Sequence, residues 1–125
     1  VSKKRPVNLD LTTIQLPLPA LTSILHRVTG VMLFVGLIFF FYVFDLSLAN
    51  EAGFNTVKSL LTQHFGAKFI AWGLLTALSF HLLAGVKHLI MDFGYAETLK
   101  SANLAARVVL SSCVILSILV GVWLW

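Results

Sequence analysis

The sequence predicts an all-α integral membrane protein built from three transmembrane helices. Of its 125 residues, 58% are hydrophobic and only 11% are charged, whereas a soluble domain carries about a quarter charged residues. A soluble chain of this size also has too little interior to hide so many apolar groups. The apolar residues gather into three long runs with most charged residues near their ends. Each run reaches the roughly 20 residues that a helix needs to cross the hydrocarbon.

Residues 1–21 are expected to form an N-terminal arm. Lys3, Lys4 and Arg5 are followed by Pro6, Pro17 and Pro19. Proline removes backbone donors and restricts the residue before it, so this stretch should be extended and lie along the membrane surface. It lacks an apolar core followed by a small-residue cleavage site, so the first helix is expected to direct insertion itself. That helix is predicted over residues 22–48, with Thr22 or Ser23 as its cap. Its centre, residues 28–44, contains no charge, and Phe39, Phe40, Phe41, Tyr42 and Phe44 crowd the end before Asp45. These rings read as lipid-facing and packing groups.

Residues 49–66 read as a polar loop with a short surface helix over residues 55–64. The second membrane helix is predicted over residues 67–91. The loop over residues 92–102 carries Gly94, Glu97 and Lys100. The third helix, over residues 103–125, ends in Trp123 and Trp125, which suit the headgroup zone. Gly30, Gly36 and Gly85 are positions where helices can approach closely.

The basic residues predict an orientation. Lys3, Lys4, Arg5, Arg27, Lys87, Lys100 and Arg107 fall on the side shared by the N-terminus and the second loop, and Lys58 and Lys68 on the other. The positive-inside rule then places the N-terminus and the second loop in the cytoplasm or the mitochondrial matrix, and the C-terminus outside. Polar side chains within the spans need partners, so three helices alone should pack against further membrane helices.

Several chemistries are excluded by pattern. Cys113 is the single cysteine, so no internal disulfide and no cysteine-held zinc or cluster can form. Phosphate-cradling loops, His-Glu-x-x-His and nucleophile elbows do not occur. The basic clusters lack the aromatic surface that nucleic acid would need.

Ionisable residues inside a span are costly and therefore functional candidates. His81 lies about ten residues, or about 15 Å, before the end of helix two. A neutral imidazole there offers a lone pair to iron in an apolar site. Gly85 shares its face four residues on, where a missing side chain lets a flat macrocycle approach. His88, seven residues from His81, lies on that face nearer the cytoplasm and can reach a haem propionate. The competing reading makes His81 a structural group bonded to a serine or carbonyl of a neighbouring helix. Since His64 lies in the outer loop and His26 near a rim, a six-coordinate haem would take its second axial ligand from another subunit.

Ser23 and Arg27, four residues apart, share a face of helix one. A hydroxyl and a permanent cation together suit a quinone carbonyl that gains negative charge. His26 points roughly 100° away around the helix and can reach a propionate. Alternatively Arg27 snorkels to headgroup phosphates while Ser23 caps the helix. Asp92 can exchange protons with water or pair with Lys87 or His88.

Taken together, residues 5–11 (RPVNLDL), 23–30 (SILHRVTG) and 81–95 (HLLAGVKHLIMDFGY) resemble the cytochrome b membrane anchors of succinate dehydrogenase, respiratory complex II, of bacterial type. The resemblance covers nearly the whole chain and matches in helix number and order. It implies three helices packed with a partner anchor subunit around one shared haem b. It also implies that Ser23 and Arg27 bind quinone, with Ile24 beside them, that His81 is an axial haem ligand, and that His26 and His88 contact propionates. Many relatives carry arginine where this chain has Lys87, which keeps the charge but loses the bidentate fork. The implied partners are a second anchor supplying the other axial histidine, an iron–sulfur subunit and a flavoprotein. The implied function is to pass electrons from the iron–sulfur subunit to ubiquinone, with no catalysis by this chain alone. Two other readings are a haem-free structural anchor of a fumarate reductase-like complex and a small proton-coupled transporter using His81 and Asp92.

Overall fold

A computed structural model describes residues 5–7, 9, 10 and 12–125. Lys3 and Lys4 of the orientation count, and Asn8 and Leu11 of the arm motif, lie outside the described residues. Four helices follow one another: α1 (Leu18–Ala49), α2 (Glu51–Gln63), α3 (Phe65–Asp92) and α4 (Leu99–Leu124). Three of them, α1, α3 and α4, are long and apolar enough to cross a membrane. The all-helical membrane fold expected from the sequence is therefore present, with a fourth helix added.

The described part of the arm before Leu18 is not helical. Asp10 organises its one turn, accepting from the Thr12 hydroxyl at 2.7 Å and the Thr12 backbone N–H at 3.0 Å. The Thr12 bonds, the hydroxyl first and the amide second, hold the Asp10 carboxyl below the usual carboxylate range.

Helix α1 begins at Leu18, four residues before the expected start, with Pro17 as its N-cap and no side-chain cap. Proline in the first turn costs nothing, because the N–H it lacks would have had no partner there. Thr22 therefore lies inside the helix, its hydroxyl donating to the Pro19 carbonyl at 2.9 Å, and neither Thr22 nor Ser23 caps it. The four extra residues carry His26 about 6 Å deeper into the helix than the predicted start implied. The whole helix is about 48 Å long at 1.5 Å per residue, more than the roughly 30 Å of hydrocarbon.

The polar segment after α1 is more ordered than expected. Asn50 ends α1 and caps α2 in one step, its side-chain oxygen accepting from Gly53 N–H at 2.7 Å. Helix α2 starts four residues before the predicted surface helix and buries Gly53 and Val57. His64 alone separates it from α3. Helix α4 also starts early, because Thr98 caps it by accepting from Ser101 N–H at 3.2 Å.

Helix α3 is the centre of the bundle, packed on α1 by one face and on α4 by another. Small residues permit the close α3–α4 approach: Ala84 and Ala106 are both completely buried, with Phe80 and Val109 beside them. Two polar ties run along this seam, Trp72 Nε1–H to the Ser117 carbonyl at 2.9 Å and Thr76 to Ser117 at 3.1 Å. Small residues and interhelical hydrogen bonds are what hold helices together where the hydrophobic effect is absent. By contrast, Phe34, Phe39, Phe40 and Phe41 of α1 stand exposed on the outside, where lipid or another subunit must cover them.

The α1–α3 contact depends on Gly36. A Cβ there would stand 2.6 Å from a terminal methyl of Leu74 and 3.3 Å from the other. Gly36→Val fills the room into which those methyls could retreat, and is expected to cost about 1–3 kcal/mol. A thermal unfolding midpoint of the detergent-solubilised protein equal to that of the parent would show that the helices can separate there freely.

Candidate functional site

The end of the bundle where α1 begins and α3 ends carries an open groove of about 620 Å³. Its walls include Ser23, His26 and Arg27 from α1 and His81, Gly85, His88 and Asp92 from α3. The two blocks read separately in the sequence thus meet on facing helices. Each wall is a single helical face: residues 23 and 27 are four apart, and 81, 85, 88 and 92 step by three or four.

Three imidazoles converge in the groove. The rings of His26 and His81 stack with centroids 4.0 Å apart and planes 5° from parallel. His88 meets the His26 ring edge-on at 5.3 Å. The sequence places His81 deep and His26 at a rim; the structure puts their rings side by side. The early start of α1 is the physical reason.

His81 Nδ1 lies 3.0 Å from the His26 carbonyl and 3.2 Å from Thr29 Oγ1. A carbonyl only accepts, so Nδ1 donates in this bond, and in the neutral ring Nε2 has the lone pair. Thr29 Oγ1 lies 2.9 Å from the Leu25 carbonyl and 3.0 Å from the His26 carbonyl, to which its hydroxyl can donate. The bond to a neighbouring carbonyl expected of a structural histidine is therefore present. It occupies one ring nitrogen only, and among the described residues no hydrogen bond reaches Nε2. Metal-ligating histidines are oriented in this way, with the far nitrogen donating to a carbonyl.

Two glycines lie against these rings, and one of them is needed for the close approach. A Cβ at Gly30 would stand 3.1 Å from His81 Cε1, so its absence lets the ring lie against α1. The space over Gly85 is faced by His26 Nε2, 3.4 Å from where a Cβ would be. A Cβ there would make only ordinary contact with that ring, so Gly85 lies under the His26 ring without being required by it.

Ser23 is half-buried and Arg27 exposed on the groove, and among the described residues neither has a hydrogen bond or ion-pair partner. Both are available to a ligand. Asp92, the last residue of α3, is exposed at the groove mouth. It forms no ion pair with Lys87 or His88 among the described residues. Lys87 does not line the groove: it is 4% exposed and donates to the Thr22 hydroxyl at 2.6 Å. Ile24 is exposed away from the groove and does not line it either.

Sequence reasoning missed the contacts of Thr29 and Thr22, and read Gly30 only as a close-packing position. Thr29 and Gly30 contact His81, and Thr22 receives Lys87. Thr29 and Gly30 stand within the same block as His26 and Arg27, but only the facing helix reveals what they touch. No local pattern marks Thr22.

The residues present fit a haem held from one side. An imidazole with Nδ1 committed and Nε2 uncommitted is a suitable axial ligand, and two further imidazoles lie beside it. The groove is open, and any polar group in it that faces hydrocarbon needs a cover.

The profile of the family described as "Succinate dehydrogenase/Fumarate reductase transmembrane subunit" matches residues 1–120. The chain is 38% identical over 125 residues to the succinate dehydrogenase cytochrome b556 subunit of Coxiella burnetii, covering all of both sequences. It is 30% identical to the corresponding subunit of Paracoccus denitrificans, over 92% of this chain and 88% of that one. It is 34% identical to the succinate dehydrogenase cytochrome b560 subunit of Reclinomonas americana, over 85% and 76%.

Proposed function

This chain belongs to the succinate dehydrogenase/fumarate reductase transmembrane subunit family, and from that premise we propose that it holds one side of a haem b and one wall of a quinone-reduction site. As a membrane-anchor cytochrome b subunit of succinate dehydrogenase it is not catalytic by itself. The observation that carries the proposal is the uncommitted Nε2 of His81 in a groove shared with Ser23 and Arg27.

In this reading His81 Nε2 would hold the haem iron, with the His26 carbonyl fixing the tautomer and ring plane. His26 and His88 bind the propionates. The role does not extend to Lys87, whose ammonium is spent on Thr22. A haem bound there supplies a one-electron store beside the quinone site. A second histidine ligand would come from a second anchor subunit, which would also close the open side of the groove.

Ser23 donates its hydroxyl hydrogen to a quinone carbonyl, and Arg27 opposes the negative charge that carbonyl gains on reduction. Guanidinium is always charged, so this stabilisation does not depend on a proton being in place. Asp92, exposed at the mouth, can pass protons between water and the reduced quinone. The substrate is ubiquinone. Electrons come from an iron–sulfur subunit docked at this end of the bundle, fed in turn by a flavoprotein that oxidises succinate. The membrane is the bacterial inner membrane, with the N-terminus cytoplasmic and the C-terminus periplasmic.

A proton path continuing past His81 along the α1–α3 contact would meet an apolar wall. There the neighbouring groove is lined by Leu33, Phe34, Leu37, Phe40, Leu74 and Leu78, which offer no proton carrier. That lining favours the electron-transfer reading over the transporter.

The test is the dithionite-reduced spectrum of the purified complex. The expected result is a b-type Soret and alpha band at one haem per complex. A colourless complex that still reduces quinone would overturn the haem assignment and favour the haem-free anchor.

A further inference from the structure

Thr22 and Lys87 are the buried polar side chains among the described residues, at 0% and 4% exposure. They bond to each other. An ammonium can only donate, so Thr22 Oγ1 accepts from Lys87 Nζ at 2.6 Å and passes its own hydrogen to the Pro19 carbonyl at 2.9 Å. The result is a directed chain from α3 through a side chain of α1 to the α1 backbone.

A cation buried against a neutral hydroxyl, with no carboxylate among the described residues to pair with it, is a costly arrangement. Its location indicates what it secures. Thr22 immediately precedes Ser23 and stands four residues before His26. Lys87 immediately precedes His88 and follows Gly85 by two. Neither Thr22 nor Lys87 lines the groove, so the bond stands beside it and outside its lining. The other polar tie between α1 and α3 is made by His81 itself, to His26 and Thr29.

We propose that the Lys87–Thr22 bond is the positioning element of the groove, setting the rotation and separation of the α1 turn that bears Ser23 and Arg27 against α3. Lys87 and Thr22 are positioning residues and touch no ligand. The inference rests on the quinone reading of Ser23 and Arg27 given above. Misplacing a binding group by about 1 Å is enough to cost up to a hundredfold in rate or binding, so loss of this tie should be read first at the quinone.

The experiment compares Thr22→Val, Thr22→Ser and Lys87→Met in the assembled complex. Quinone KM and kcat, haem content, and succinate oxidation by an artificial acceptor are measured for each. Thr22→Val, which keeps the shape and removes the acceptor, is expected to raise quinone KM about tenfold with kcat changed by less than about twofold. Haem content and artificial-acceptor activity should stay at the parental level. Thr22→Ser, which restores the acceptor, should return KM to within about twofold of the parent. Lys87→Met should match Thr22→Val; if it does not assemble, the two Thr22 variants decide alone. Parental KM in Thr22→Val, or equal impairment in Thr22→Ser, overturns the positioning role. Unchanged quinone kinetics in Arg27→Leu would instead reject the quinone reading on which it rests.

Discussion

Replacing His81 with alanine is expected to take the purified complex from about one haem to almost none. The reduced b-type spectrum should disappear while the subunits remain assembled. The expectation follows from how the ring is held. Nδ1 is committed to the His26 carbonyl, and Gly30 leaves just enough room for the ring against α1. Only Nε2 is left for iron, and His26 cannot substitute without losing its place over Gly85. Removing a metal ligand costs more than the 10- to 100-fold typical of an outer-shell partner, and the partner anchor's imidazole alone should not retain the group. Quinone reduction should persist in part, because transfer from an iron–sulfur cluster to quinone need not pass through haem. Full haem occupancy in His81→Ala would show that another residue is the ligand.

Arg27→Leu is expected to lower kcat/KM for quinone about a hundredfold, equivalent to roughly 2.7 kcal/mol of transition-state stabilisation. Succinate oxidation by an artificial acceptor should be unaffected, since that electron path ends before the groove. The magnitude is set by charge. Arg27 is the cation on the groove lining, and it has no ion pair among the described residues to share its charge. Leucine keeps the apolar stem and removes the group that opposes negative charge on the quinone oxygen. Arg27→Lys keeps the charge but loses the planar fork, and should fall between the two. Parental quinone kinetics in Arg27→Leu would mean that the guanidinium serves lipid headgroups.

Much of the site was legible because helical periodicity is strict. His81, Gly85, His88 and Asp92 had to share a face once they lay on one helix, and Ser23 and Arg27 likewise. That the two faces would meet was legible only through the resemblance of both blocks to one family. What Lys87 touches was not legible, although its neighbour His88 lines the groove. One residue of offset turns a side chain about 100°, enough to send it outside the groove lining to Thr22. Ile24 was misplaced for the same reason beside Ser23. The start of α1 was misread because two prolines suggested an extended arm, when a first helical turn accepts them without loss.

Composition and periodicity determined by themselves that this chain lies in a membrane and crosses it three times. Lipid offers no hydrogen bonds, so an apolar run of sufficient length must become a helix that satisfies its own backbone. Tertiary packing alone decided which polar groups meet across the helices. The stacking of His26 on His81, the commitment of Nδ1 to a carbonyl and the buried bond from Lys87 to Thr22 all depend on the depth and rotation of α1 against α3. Those quantities are set by where glycine and alanine let backbones approach, a relation between residues more than fifty positions apart that no local pattern records.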